Sequence, residues 1–330
     1  MNIAFTICSS NYLAHAKTLG DSFLEHHPDV KFVIGLVDKF NLDLDYKMFS
    51  NFEIIPVEDI SVSDFENLNK KYNITELNTA VKPTYFHHIF KKYNAEKVIY
   101  IDPDIFVVSG FDEVFEILDS QNIVITPHMC SPIDDDLSPT DYHVLAGGVF
   151  NLGFIGLSNY ESVKPFLDWW HDRVVKYGFR NYSKGMFYDQ LWINYVPCFF
   201  DNFNILKHLG YNMANWNLHE RTITSHDNGV YKLNHKYILR FFHFSSYKFN
   251  NPQEICIYQT RYNFESRPDL FEIFNIYTQK LIENNVTQIS KMKVFYYPNL
   301  NKSVLSQKDK TKIDKIVFRV KKAIRVLIYG

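Results

Sequence analysis

Apolar and polar positions along the first third of the chain switch repeatedly between two periods. Ile3–Cys8 is short and apolar, as a buried strand is. Over Asn11–His26, Leu13, Ala16, Phe23 and Leu24 fall on one helical stripe, and His27-Pro28 ends it. Lys31–Val37 (KFVIGLV) and Phe52–Val57 (FEIIPV) predict two more buried strands. Thr79–Tyr93 predicts a helix with Pro83 in its first turn, and Lys97–Ile101 (KVIYI) a strand that runs into Asp102. Asn122–Thr126 and Val149–Leu157 read as strands, Glu161–Tyr177 and Phe187–Tyr195 as helices, Tyr237–Phe244 as a late strand, and Leu270–Asn284 as a helix. Strands alternating with helices predict an α/β fold whose mixed, mostly parallel sheet is flanked by helices and binds ligands at the strands' carboxyl ends.

Pro127–Ala146 breaks this rhythm. It holds three prolines and a run of aspartates with little periodicity, which predicts either a solvated surface loop or a lid or acceptor-facing loop. The organisation expected is one domain over 1–290, in two parts, 1–126 and 127–290, followed by a basic appendage at 291–330. In that appendage eight lysines and arginines between Lys308 and Arg325 face two aspartates, and Ile313, Ile316, Val317, Val320, Ile324 and Leu327 recur at helical spacing. Such a helix suits an anionic membrane surface or packing on its own domain.

Composition narrows the classes. Of 330 residues 46% are hydrophobic, enough for a packed core. The net charge of −2 gives no electrostatic case for nucleic acid. Aromatics at 17% fit core packing, and also the stacking of rings on sugars and bases. Cys8, Cys130, Cys198 and Cys256 are scattered and read as buried free thiols of a reducing compartment. With neither a signal-type N-terminus nor a run of 18 apolar residues, a cytoplasmic protein is expected, peripheral to the inner face of the membrane if segment 308–329 binds it.

Three Asp-x-Asp pairs occur: Asp43/Asp45, Asp102/Asp104 and Asp134/Asp136. Only the second follows a clear buried strand and precedes another apolar run, Ile105–Val108, with Pro103 stiffening the turn. Two carboxylates at a sheet edge repel each other unless they share a cation. Oxygen ligands suit Mn²⁺ or Mg²⁺, whose open positions would take diphosphate oxygens. Asp38, at the end of a strand, is placed to meet a ribose or base. Trp216, Asn217 and His219 form a polar and aromatic group suited to sugar recognition.

Tyr100-Ile101-Asp102-Pro103-Asp104-Ile105 resembles the metal-binding strand end of GT-A glycosyltransferases. Further blocks follow in the order of family 8-like enzymes, the glycogenin and lipooligosaccharide galactosyltransferase group. Cys8, then Ser9-Ser10-Asn11-Tyr12, is similar to their nucleotide-base loop, and Lys82 to their donor-binding lysine. Phe150-Asn151-Leu152-Gly153 resembles their sugar-contact strand, Tyr188-Asp189-Gln190 their pair near the transferred sugar, and Phe242-His243-Phe244 the strand bearing a third metal ligand. Tyr211–Arg221 also resembles uncharacterised bacterial glycosyltransferases of cell-surface loci. Where the family continues to Lys-Pro-Trp, this chain has Lys248-Phe249, with Lys248 a candidate phosphate contact.

The resemblance implies a GT-A fold and transfer of a sugar from a nucleoside diphosphate sugar, UDP-linked, to a hydroxyl of a glycan or lipid-linked acceptor. It implies a divalent cation on Asp102, Asp104 and His243, a donor site including Cys8, Ser9, Tyr12, Lys82, Asn151, Gly153 and Lys248, to which Asp38 and Trp216 are added from their position and residue type, and retention with Gln190 beneath the sugar. Inversion would need a carboxylate base, for which Asp189 and then Asp141 are the candidates. A sugar-1-phosphate nucleotidyltransferase would carry a glycine-rich phosphate loop, and residues 6–14 contain no glycine. A non-catalytic nucleotide- or glycan-binding protein is the remaining alternative.

Overall fold

The computed structural model describes residues 1–227 and 229–296. The appendage from 297 onward, with its basic segment 308–329, lies outside the described residues. In chain order the elements are β1 (Asn2–Cys8), α1 (Leu13–His26), β2 (Lys31–Leu36), β3 (Glu53–Pro56), α2 (Phe65–Lys71), α3 (Ile74–Ala80), α4 (Lys82–Tyr93), β4 (Lys97–Ile101) and β5 (Ile105–Val107). Then come α5 (Asp112–Ser120), β6 (Ile123–Pro127), α6 (Asp141–Gly147), β7 (Phe150–Ser158), α7 (Tyr160–Tyr177), α8 (Val196–Phe199), β8 (Phe203–Ile205) and β9 (Met213–Ala214). The last are β10 (Ile223–Asp227), β11 (Val230–Leu233), β12 (Tyr237–Ile238), β13 (Phe241–His243), α9 (Phe271–Glu283) and α10 (Val286–Ile289).

Seven strands form the central sheet in the order β3-β2-β1-β4-β7-β6-β8. All its neighbours are parallel except β7, which runs against both β4 and β6. The mixed, mostly parallel sheet flanked by helices that the pattern predicts is therefore present. Successive side chains of a strand alternate between faces. On β1, Ile3, Phe5 and Ile7 enter the core beneath α3, α4 and α7, whereas Ala4 and Cys8 enter the core beneath α1, α5 and α9.

The boundaries differ from the sequence reading where the backbone has an alternative. α4 starts at Lys82 because Pro83 in its first turn lacks an N–H, and the preceding residues form α3, closed by an Asn73–Glu76 capping box. The late strand breaks into β12 and β13 around Leu239-Arg240, where the Arg240 side chain turns to Glu113 at 2.9 Å. Phe187–Tyr195 condenses to a 3-10 turn over Gln190–Tyr195. Cys8 and Cys256 are buried as expected, but Cys130 and Cys198 are exposed, since they lie on a loop and a short surface helix.

The segment 127–146 is a fixed wall as well as a surface loop. It contains α6 and is clipped to a stretch more than 100 residues away. Arg261 grips the Asp135 carboxylate at 2.8 Å and the carbonyls of Leu137 and Pro139, while Ser138 and Thr260 exchange hydrogen bonds of 2.9 and 3.0 Å.

Among the described residues no helix is long and apolar enough to cross a membrane.

Candidate functional site

The strand KVIYI stops being a sheet element at Asp102 because Pro103 forces a turn, closed by a 3.1 Å bond from Ile105 N–H to the Asp102 carbonyl. Beyond the turn β5 leaves the central sheet and pairs antiparallel with β13, His243 opposite Ile105. The corner between the two sheets thus carries both aspartates, and β13 delivers an imidazole beside them. His243 Nε2 lies 3.1 Å from Asp104 Oδ1 and 3.8 Å from Asp102 Oδ2. One ligand atom from each of the three residues lies within 4.8 Å of the others. The Asp43/Asp45 and Asp134/Asp136 pairs sit on exposed turns.

The imidazole is held from behind. Asn212, fully buried and with φ of +56°, accepts from His243 Nδ1 at 3.1 Å, which leaves Nε2 as the atom facing the carboxylates. Asn212 also donates to Asn151 Oδ1 at 3.0 Å, which accepts from Gly153 N–H at 3.1 Å. Gly153 is where β7 passes closest: a Cβ there would stand 2.4 Å from His243 Cε1 and 2.8 Å from Asn151 Oδ1. Trp216 packs edge-on to both His243 and His128 at 5.2 Å, and its Nε1 is buried with no protein partner among the described residues.

On the other side of Asp102, Lys82 is 1% exposed. Its ammonium lies 2.8 Å from Asp189 Oδ2, 4.0 Å from Asp102 Oδ1 and 4.1 Å from the centre of the Tyr100 ring. The Tyr100 hydroxyl donates to Asp102 Oδ1 at 2.5 Å. Asp189 follows Tyr188, which holds a left-handed φ of +49°, a costly conformation for an aromatic residue. Its carbonyl accepts from the buried Trp170 indole at 3.3 Å. Three acids and one ammonium in one low-dielectric corner shift one another. Burial raises the Asp189 pKa above the ordinary carboxylate range, with Lys82 only partly offsetting it. Burial also raises Asp104, but the His243 imidazole outweighs it and leaves that carboxyl below its usual value. His243 is correspondingly raised: burial lowers it and Asp104 more than restores it.

The other expected residues divide. Gln190 lies against the site, yet its amide is wholly engaged. Its Oε1 accepts from Leu152 N–H at 3.0 Å and Asn151 Nδ2 at 3.2 Å, and its Nε2 donates to the Gly147 carbonyl at 2.8 Å. Asn217 and His219 do not face the cleft: Asn217 donates to the His128 and Asn212 carbonyls, and His219 ties to Ser131. Asp141 is exposed and accepts from Ile133 N–H. Cys8 is buried at the end of β1, its thiol pKa pushed up by burial. Ser9 Oγ meets Asn78 Nδ2 at 3.0 Å. Tyr12 stacks one face on His15 at 3.8 Å, and burial takes the His15 imidazole down to about 4. Lys248 is exposed, and its charge also depresses His15. Asp38 is buried and receives the backbone N–H groups of Ser10, Lys39 and Phe295. Sequence reasoning missed Tyr100, His128 and Asn212. Tyr100 lies within the quoted strand and Asn212 within the quoted block 211–221, but nothing local marks either as facing the acids.

No family model matches the chain. Two uncharacterized proteins of Bacillus subtilis (strain 168) are similar to it. YfnF is 24% identical over 285 residues, covering 84% of this chain and 90% of that protein. YfnD is 24% identical over 266 residues, covering 77% and 81%. Among solved structures, the galactosyltransferase LgtC in complex with donor and acceptor sugar analogs is 14% identical with a TM-score of 0.47, covering 86% of this chain and 96% of that one. The glycosyltransferase GlyE of Streptococcus pneumoniae TIGR4 is 14% identical with a TM-score of 0.47, covering 89% and 66%. The bifunctional WbbM is 14% identical with a TM-score of 0.48, covering 91% and 51%. All three of these are glycosyltransferases. At such identities and scores no activity is assigned to this chain by likeness, and its function is read from the site.

Proposed function

We propose that this protein is a metal-dependent glycosyltransferase that moves a sugar from a nucleoside diphosphate sugar, UDP-linked, to a hydroxyl of a glycan or glycolipid in cell-surface polysaccharide synthesis. The observation that carries the reading is the convergence of Asp102, Asp104 and His243 Nε2 at the carboxyl end of β4. The donor set fits a divalent cation. Two carboxylates and an imidazole suit Mn²⁺ or Mg²⁺, the imidazole tautomer is set by Asn212, and the room it needs exists only because residue 153 has no Cβ. When bound there, the ion would act as a Lewis acid toward the departing diphosphate.

The remaining chemistry belongs to side chains. The exposed Lys248, whose charge is felt at His15, supplies positive charge toward phosphates. Lys82 holds Asp189 and Asp102 in fixed positions, so that charge developing on the leaving group meets a preorganised environment. Gln190 shapes the sugar side by orienting Leu152 and Gly147 through the backbone. Asn151 Oδ1 ties the Gly153 N–H of β7 to Asn212 behind the imidazole, and the Trp216 ring flanks that imidazole edge-on. Retention is the stereochemistry this arrangement supports. An inverting base must reach the acceptor hydroxyl, and Asp189 is buried on an ammonium while Asp141 lies on the exposed face of α6.

A panel of nucleoside diphosphate sugars with Mn²⁺, scored for slow donor hydrolysis, tests the class without an acceptor. UDP release from one donor is expected. A flat response across the panel, with no nucleotide binding, removes the reading. A second outcome concerns the support behind His243. Asn212→Ala should weaken Mn²⁺ binding about 10- to 100-fold in calorimetry, whereas a role in packing alone would lower the melting temperature and leave the metal affinity unchanged.

A further inference from the structure

The segment after α10 crosses the carboxyl edge of the sheet. Met292 packs on the core beneath α1 and α9, and Tyr296, four residues later, on the core beneath α3, α4 and α7. The crossing lies over β1 and β2, because Phe295 N–H donates to Asp38 Oδ1 at 2.8 Å while Asp38 Oδ2 receives Ser10 N–H at 3.2 Å. Its last two described residues are pinned. The Lys39 ammonium stands 4.3 Å over the Phe295 ring and 3.1 Å from Glu58, and Tyr296 meets Phe65 edge-on at 4.9 Å and the Phe295 ring edge-on at 5.1 Å. Yet Phe295 is 58% exposed. Ser10, which shares Asp38 with it, is 1% exposed and its hydroxyl has no partner among the described residues.

An aromatic ring fixed at its backbone, with a cation over one face and more than half of its residue exposed, is a stacking platform. Resting on the nucleotide-sugar reading above, we infer that the strap Met292–Tyr296 is the outer wall of the nucleobase end of the donor site, with Phe295 stacking on the base. Asp38 then serves the base indirectly. Its carboxylate is spent on three backbone N–H groups, so it anchors the strap and the Ser10 loop. Nucleobase affinity therefore depends on a stretch of chain more than 250 residues from β1.

The test uses the full chain and calorimetry with Mn²⁺, comparing UDP with inorganic pyrophosphate. Phe295→Ala should weaken UDP about tenfold, since a base stacked on an aromatic ring loses that order of affinity on alanine substitution, while pyrophosphate binding stays unchanged. Phe295→Tyr should restore UDP binding. UDP affinity in Phe295→Ala within twofold of wild type, or equal weakening of UDP and pyrophosphate, overturns the strap alone, provided that Asp104→Asn abolishes UDP binding. A wild-type protein that binds UDP no more tightly than pyrophosphate overturns the strap and the nucleotide-sugar reading together.

Discussion

Asp104→Ala is expected to lower Mn²⁺-dependent UDP release by at least about a thousandfold, while the protein remains folded. The substitution removes one of three ligand groups and takes away the carboxylate that faces His243 Nε2 at 3.1 Å. Because that carboxylate is 18% exposed at a turn and outside the packed cores, little apolar burial is lost with it. Melting in chelator should therefore differ from wild type by only a few degrees. The rise in melting temperature that Mn²⁺ gives the wild type should disappear, since an ion stabilises only as far as it binds the folded state. Hydrolysis kinetics decide the matter: an Asp104→Ala protein that releases UDP at the wild-type rate would mean that the acidic corner is not the reaction centre.

Lys82→Met is expected to have the largest effect on stability. Lys82 and Asp189 are both almost completely buried and lie 2.8 Å apart. Removing the cation leaves an uncompensated buried carboxylate, which costs about 3–5 kcal/mol. The sign of the pH dependence follows from Asp189, whose folded pKa is already raised by burial. A carboxyl with a raised folded pKa binds more protons when folded than when unfolded, so its penalty is present at high pH. The penalty shrinks as pH falls through the folded pKa toward the unfolded value near about 3.9. Denaturant melts of Lys82→Met and wild type, taken from pH 8 down to pH 5, should therefore converge. The double substitution Lys82→Met with Asp189→Asn should recover most of the loss at neutral pH, since the amide carries no charge to bury. A single variant as stable as wild type at pH 8 would show that the pair is solvated and interacts weakly.

The Asp102-Pro103-Asp104 corner was legible without coordinates. Its signal is local: a five-residue apolar strand, two acids and a proline within one turn. The elements around it were legible for the same reason, because apolar periodicity is written by neighbours three or four positions apart. His243 stood out only through resemblance, since a single histidine in an apolar strand has no local mark of ligation. Gln190 and Asn217 show what residue type alone leaves out. Their residue types suit sugar contacts, and in the structure their amides are consumed by backbone groups of the site's own walls. Asp38 was expected to meet a ribose or base, and its carboxylate accepts the backbone N–H of the distant Phe295.

From its order of residues alone this chain determines an alternating α/β scaffold, a strand ending in paired acids, and the charges available to them. The tertiary structure decided which distant groups those acids face: the imidazole 139 positions beyond Asp104, the asparagine that sets its tautomer, the glycine that makes room for it, and the ammonium buried against Asp189. The physical reason is that periodicity records only what neighbours along the chain do to one another. Pairing of β5 with β13 and passage of β7 behind the corner depend on how whole sheets bury their faces.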